Sequence, residues 1–204
     1  MKKIEITWRE LLFQAIEKGN RQFTQKELAE KFGFSTSTIF QALKVPRKMG
    51  AVRVTGRFFV LEYPEKLLYH WASTRDLKKD ILFTGKVKLP VLEIEGRMPP
   101  EVVFGGFSAA RLILKEPPAD YDKIYVYTSK PEAIKKRFEL EKALPASRQG
   151  NENLIVLKTD PFLGNYGQIT TLGQTFVDLW SLPEWYAKEF TKSLKERIDA
   201  RFLS

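Results

Sequence analysis

The chain predicts an α+β fold, and three observations predict it. Short capped helical patterns followed by a hairpin pattern fill residues 1–62. Apolar strand-like runs alternate with helical stripes between residues 81 and 158. Two capping signals, Thr171 with Gln174 and Ser181 with Glu184, then open a helical C-terminal segment. The expected division is a first unit over 1–62, a linking helix over 63–80 and a mixed α/β region over 81–204.

Each element has a local reason. Thr7 and Glu10 have capping-box spacing, and Trp8, Leu11, Leu12, Ala15 and Ile16 follow on one helical face. Lys18 and Gly19 suit its end. Thr24 and Glu27 form a second box, Leu28, Ala29 and Phe32 the stripe, and Gly33 the stop. Phe34 is a buried hinge candidate. Ser35 caps a third helix from Thr36, with Ile39, Ala42 and Leu43 inward; Phe40 could touch a thymine methyl, but the core is its preferred place. Pro46 removes an amide, so this helix is expected to be short or kinked there. Met49-Gly50-Ala51-Val52 turns into a strand, Gly56 turns the chain back, and Phe58 to Leu61 return as the second strand.

Charge singles out one stretch. Residues 31–61 hold six basic side chains, Lys31, Lys44, Arg47, Lys48, Arg53 and Arg57, and no acidic one, bracketed by Glu30 and Glu62. Of the net +9, residues 1–62 contribute 12 basic and 6 acidic groups, against 22 and 19 in the rest. A surface that lies on a DNA polyanion must avoid carboxylates, and the pattern coincides with helix–turn–helix spacing. Thr36, Ser37, Gln41 and Lys44 lie opposite Ile39 and Leu43, where Gln can pair with adenine and Lys with guanine. Arg47 and Lys48 end the same helix, and Arg53 and Arg57 sit on or beside the hairpin. These eight are the candidate DNA-binding residues.

The string FTQKELAEKFGFSTSTIFQALKVPRKMGAVRV resembles the winged helix of many bacterial and archaeal regulators. The resemblance implies that the third helix enters the major groove and that the hairpin is the wing.

Beyond residue 63, Pro64 starts a helix through PEKLLYHWASTRDLKK with Leu67, Leu68 and Trp71 apolar; His70 receives no function. Val87–Glu95 and Val102-Val103-Phe104 read as strands. Gly105-Gly106 leads into a helix with Ala109, Ala110 and Leu112, and Pro117-Pro118 breaks the chain. KIYVYT (123–128) and Leu154–Lys158 are strands, and Pro131–Leu144 is helical with Ile134, Phe138 and Leu140 or Glu141 at its stripe. Trp185, Phe190, Leu194, Ile198 and Phe202 form the stripe of the last helix.

Composition excludes much. There is no Cys and one His, which removes disulfides, thiol chemistry, a histidine metal site and a Ser-His-Asp triad. No apolar run approaches the ~20 residues of a spanning helix, and MKKIEITWRE lacks a signal-peptide core, so no membrane partner and a cytoplasmic location are expected. Gly105-Gly106-Phe107-Ser108 followed by Asp120-Tyr121-Asp122 loosely resembles a nucleotidyltransferase pattern, in which paired carboxylates hold Mg²⁺. Asp120 and Asp122 precede the KIYVYT strand instead of lying in it, and a tight turn and a polar turn are the preferred readings. No catalytic residue, metal or cofactor is expected.

As a whole the chain resembles the AbiEi-like antitoxins of type IV toxin–antitoxin systems. The carrying pieces are the winged-helix string, Phe104-Gly105-Gly106-Phe107-Ser108-Ala109-Ala110, KIYVYT, and TTLGQTFVDLW with Gln174, Asp178 and Leu179. That resemblance implies a repressor of its own operon, with double-stranded DNA and a nucleotidyltransferase toxin as partners. The rivals are a nucleotidyltransferase-like enzyme with a nucleic-acid-binding head, and a regulator that senses a small ligand.

Overall fold

The computed structural model describes residues 1–140 and 152–203. The chain opens with α1 (Lys3–Glu17), β1 (Gln22–Phe23), α2 (Gln25–Phe32) and α3 (Thr36–Lys48), then β2 (Val52–Val54) and β3 (Phe59–Leu61). The three strands make a small antiparallel sheet in the order β1-β3-β2. Helix α4 (Pro64–Thr74) and a 3-10 turn (Leu77–Asp80) lead to β4 (Ile81–Gly85). There follow α5 (Val91–Gly96), β5 (Val103–Gly105), α6 (Gly106–Leu114), β6 (Ile124–Thr128), α7 (Pro131–Arg137) and β7 (Leu154–Lys158). Helices α8 (Leu172–Trp180) and α9 (Ala187–Leu203) close the chain. The chain is thus mixed α and β with a helical C-terminus.

The larger sheet runs β4-β7-β6-β5, with β6 and β7 parallel and both outer pairs antiparallel. Side chains alternate across it. Tyr125, Tyr127, Ile155 and Leu157 face one cluster, while Ile124, Val126, Leu154 and Val156 face the other. Ile94 of α5 and Ile134 of α7 cover the second face. The first face meets Phe107 of α6, Phe176 of α8 and Phe190, Leu194 and Ile198 of α9. The same cluster continues into Leu11 and Leu12 of α1 and Leu67 and Trp71 of α4. Both faces of the central strands are covered, which is why KIYVYT and LIVLK are apolar at nearly every position.

Several local expectations give way to tertiary partners. Helix α1 starts a turn before Thr7: the Glu5 carboxylate takes the Lys2 amide at 2.9 Å, and Thr7 is buried, bonding back to the Lys3 carbonyl. Pro46 lies inside α3 without ending it. A proline at 46 frees the carbonyl of Ala42, four residues back, and the Trp8 indole N–H of α1 donates to that oxygen at 2.7 Å. The lost helical bond is replaced from another helix, so α3 continues to Lys48.

The linking helix stops at Thr74, because Arg75 turns extended to bring its guanidinium into a buried cluster. Val87–Glu95 is not a strand. Pro90, with φ −58°, starts α5, and the Asn153 side chain holds Val87 by both its backbone groups, at 2.8 and 2.9 Å. Leu112 is exposed on α6. Helix α7 ends at Arg137, where Glu139 takes φ +52°. The rest of the expected Pro131–Leu144 helix, with Glu141, reaches outside the described residues. Ser181 ends α8 instead of opening a helix: its hydroxyl donates to the Asp178 carbonyl at 3.0 Å, and Glu184 is drawn to Lys123 at 2.6 Å. Trp185 is 78% exposed and leaves the α9 stripe to Phe190, Leu194, Ile198 and Phe202.

Candidate nucleic-acid interface

The exposed face of α3 is set by what its other face buries. Gly33 closes α2 at φ +59°, a left-handed geometry that favours glycine. Two residues on, Ser35 accepts from the Thr38 amide at 3.1 Å and starts α3. Ile39, Ala42 and Leu43 are fully buried, and Trp8 fixes the helix against α1. Ser37, Gln41, Lys44 and Lys48 then fall on one outward row, with Thr36 and Arg47 beside it, all exposed. No acidic residue lies on this helix.

Phe40 is a correction. It is 44% exposed on this face, not in the core, and the Arg47 guanidinium lies 5.8 Å from its ring centre. A large apolar ring therefore stands among the polar side chains that could read bases. Only its position between Ile39 and Gln41 on the helix signalled this, and the apolar residue type argued the other way.

The hairpin stands next to α3. Its loop closes where the Thr55 amide and hydroxyl both donate to the Phe58 carbonyl, at 2.8 and 2.7 Å, which leaves Gly56 and Arg57 exposed at the tip. Arg53 is exposed on β2 but pairs with Glu62 at 2.5 Å. Lys31 pairs with Glu10 of α1 at 2.6 Å. Two of the six cations in the acid-free stretch are thus occupied by carboxylates that lie outside it. Among the described residues, no carboxylate lies within ion-pair distance of Lys44, Arg47, Lys48 or Arg57.

No family model, curated protein or solved structure matches the chain.

The glycine pair and the two aspartates take structural places. A Cβ on Gly105 would stand 2.8 Å from the Tyr127 ring, and one on Gly106, at φ +50°, 2.9 Å from the Tyr125 ring. Close approach of α6 to β6 thus accounts for both glycines. Asp122 accepts from the Tyr186 hydroxyl at 2.5 Å, and Asp120 is exposed on the same loop. The described residues contain no cluster of three or more groups suited to a metal, and no helix long and apolar enough to cross a membrane.

Charge is also buried where the first third meets the rest. Arg9 of α1 grips Asp160, after β7, through both carboxylate oxygens at 2.7 Å. Arg75 reaches Asp178 at 3.1 Å, Glu5 at 3.4 Å and Asp80 at 2.7 Å, and donates to the Tyr127 hydroxyl at 3.3 Å. Burial pushes the Asp178 carboxyl up, opposed by Arg75 and the Tyr127 hydroxyl. An aspartate inside the apolar run TFVDLW was the sequence signal for this cluster. Arg9 had none, because Asp160 is 151 residues away, and for Arg75 only Asp80 is near in sequence while Asp178 is 103 residues away.

Proposed function

We propose that the chain is a DNA-binding transcriptional regulator, with a winged helix over its first third. In this reading α3 enters the major groove and the β2–β3 hairpin is the wing. The observation that carries it is the outward face of α3 and the hairpin tip: Gln41, Ser37 and Thr36 for base edges or phosphates, Phe40 for apolar contact, and four cations without carboxylate partners among the described residues. A solvated basic helix needs neither an exposed phenylalanine nor a sequence free of acidic residues from 31 to 61. The element order α1-β1-α2-α3-β2-β3 and the antiparallel pairing of β1, β3 and β2 support the winged-helix reading. The AbiEi-like resemblance extends it to repression of the chain's own operon and to antagonism of a nucleotidyltransferase toxin by the C-terminal half.

The test is a fluorescence-anisotropy titration with duplex DNA from upstream of the chain's own gene and with a shuffled duplex. The upstream duplex binds more tightly. Gln41→Ala or Lys44→Ala reduces the discrimination by ~1–3 kcal/mol, the worth of one two-pronged base contact. Equal binding of both duplexes by the unsubstituted chain, or no binding at low salt, overturns the reading.

A further inference from the structure

A cavity of about 330 Å³ lies where the segment after α4 meets the larger sheet. Leu77, Ile81, Ile155, Leu182 and Pro183 give it apolar walls, and Arg75, Thr84, Lys123 and Glu184 supply polar groups. Its volume is at the small end of the roughly 300–1,000 Å³ of small-molecule sites, which favour seams between structural units.

The hydrogen bonding around it is unbalanced in one direction. The two buried or half-buried cations are engaged, Arg75 by Asp178, Asp80 and Glu5, and Lys123 by Glu184 Oε1 at 2.6 Å, while Lys78 on the same wall is exposed and has no ion pair among the described residues. Tyr125 also turns its hydroxyl to that oxygen, at 3.4 Å. Glu184 Oε2 and Thr84 Oγ1 are buried with no hydrogen-bond partner among the described residues. The Glu184 side chain is 7% exposed and Thr84 1%. Phe83 belongs to the far face of the sheet, so strand alternation turns Thr84 toward the near face, where Tyr125 and Ile155 lie. Unpartnered buried polar atoms are rare in native interiors and mark a missing partner. A carboxylate oxygen can only accept, so the missing partner is a donor.

We propose that this cavity binds a small organic molecule that presents N–H donors, of the amine or amidine class, on an apolar body. The donor meets Glu184 Oε2 and the Thr84 hydroxyl, and the body lies against Leu77, Ile155 and Leu182. The site has a regulatory consequence that rests on the DNA-binding reading. Arg75 lines the cavity and also pairs with Glu5 of α1, the helix whose Trp8 holds α3. Occupancy that moves Arg75 therefore acts on the helix that carries the DNA-facing row.

The test uses three isosteric probes, benzamidinium, benzamide and benzoate, titrated into the full chain without DNA and followed by amide NMR. Benzamidinium shifts the amides of Leu77, Thr84, Ile155 and Glu184 in a saturable way, and benzoate does not. Glu184→Gln weakens benzamidinium roughly tenfold, the loss expected for one charge-assisted hydrogen bond. Thr84→Val, which removes a hydroxyl the fold does not use, weakens it a few-fold while thermal stability is kept or raised. Indifference of those amides to benzamidinium, equal response to benzoate, or unchanged binding by both variants overturns the site. Because these titrations contain no DNA, their outcome is independent of the DNA-binding reading. Saturating benzamidinium then changes affinity for the upstream duplex several-fold; an unchanged affinity overturns the regulatory half.

Discussion

Two arginines of the hairpin look alike in sequence and differ in what surrounds them. Arg57 stands exposed at the tip, whereas Arg53 is held by Glu62 at 2.5 Å. A cation already neutralised displaces fewer counterions when it meets phosphate. Arg57→Ala is therefore expected to reduce the salt dependence of DNA binding by about one unit of log–log slope, and Arg53→Ala by clearly less. Glu62→Gln, which frees Arg53, should steepen it. Equal slopes for the two alanine variants would mean that the Arg53–Glu62 pair does not persist in solution. The single histidine gives a second residue-scale test. His70 packs edge-on against Trp8, with ring centres 5.0 Å apart, and burial pushes its pKa below the ordinary histidine value. The neutral form is then favoured in the fold. The stability it contributes is complete above the ordinary value and is lost as pH falls from there through the folded pKa. Imidazole proton shifts followed by NMR should titrate below those of a model peptide. A midpoint at or above the peptide value would show that the Trp8 ring stabilises the imidazolium instead.

Elements were legible in the sequence where their causes are local. Thr24, Ser35 and Thr171 each cap a helix through an amide three residues on, and nothing distant competes for them. Ser181 and Glu184 have the same spacing and open nothing, because Asp178 and Lys123 take their side chains. Of the candidate site, the outward row of α3 was legible from the buried row opposite it. The occupation of Lys31 and Arg53 was not, since Glu10 and Glu62 lie outside the acid-free stretch. Pro46 is the sharpest case: the helix survives it because of an indole 38 residues earlier in the chain. That yields a prediction at the scale of the element. Trp8→Phe leaves the Ala42 carbonyl buried without a donor, and urea unfolding should show a loss of ~1–3 kcal/mol beyond the change in packing. Pro46→Ala restores a backbone amide to that carbonyl. In the Pro46→Ala background the cost of Trp8→Phe should fall by about 1 kcal/mol, read as the coupling of a double-mutant cycle. An equal cost in both backgrounds would mean the indole bond does not substitute for the missing helical one.

At the scale of the molecule, the first third is joined to the rest by buried charge as well as by apolar packing. Helix α1 lies in the same cluster as α8 and α9, and Arg9 and Asp160 meet with side chains 0% and 4% exposed. Burying an ion pair is weak evidence of net stabilisation, because both ions must leave water. Breaking it is another matter, since one charge is left behind without its counterpart. Arg9→Met strands Asp160 and should cost ~3–5 kcal/mol, and Asp160→Asn strands Arg9 at a similar cost. The double variant Arg9→Met with Asp160→Asn carries no uncompensated charge and should lose much less than the two costs combined. The pair also bears on cooperativity. Trp8 and Trp71 report from α1 and α4, Trp180 and Trp185 from α8 and the turn before α9, while far-ultraviolet dichroism reports on all helices. With one cluster and two buried arginine centres spanning both halves, fluorescence and dichroism should fall together in a single urea transition. In Arg9→Met the fall should come earlier and remain single. Two separated transitions in the unsubstituted chain would mean that the halves hold their folds independently, and that the buried charges orient them without welding them into one unit.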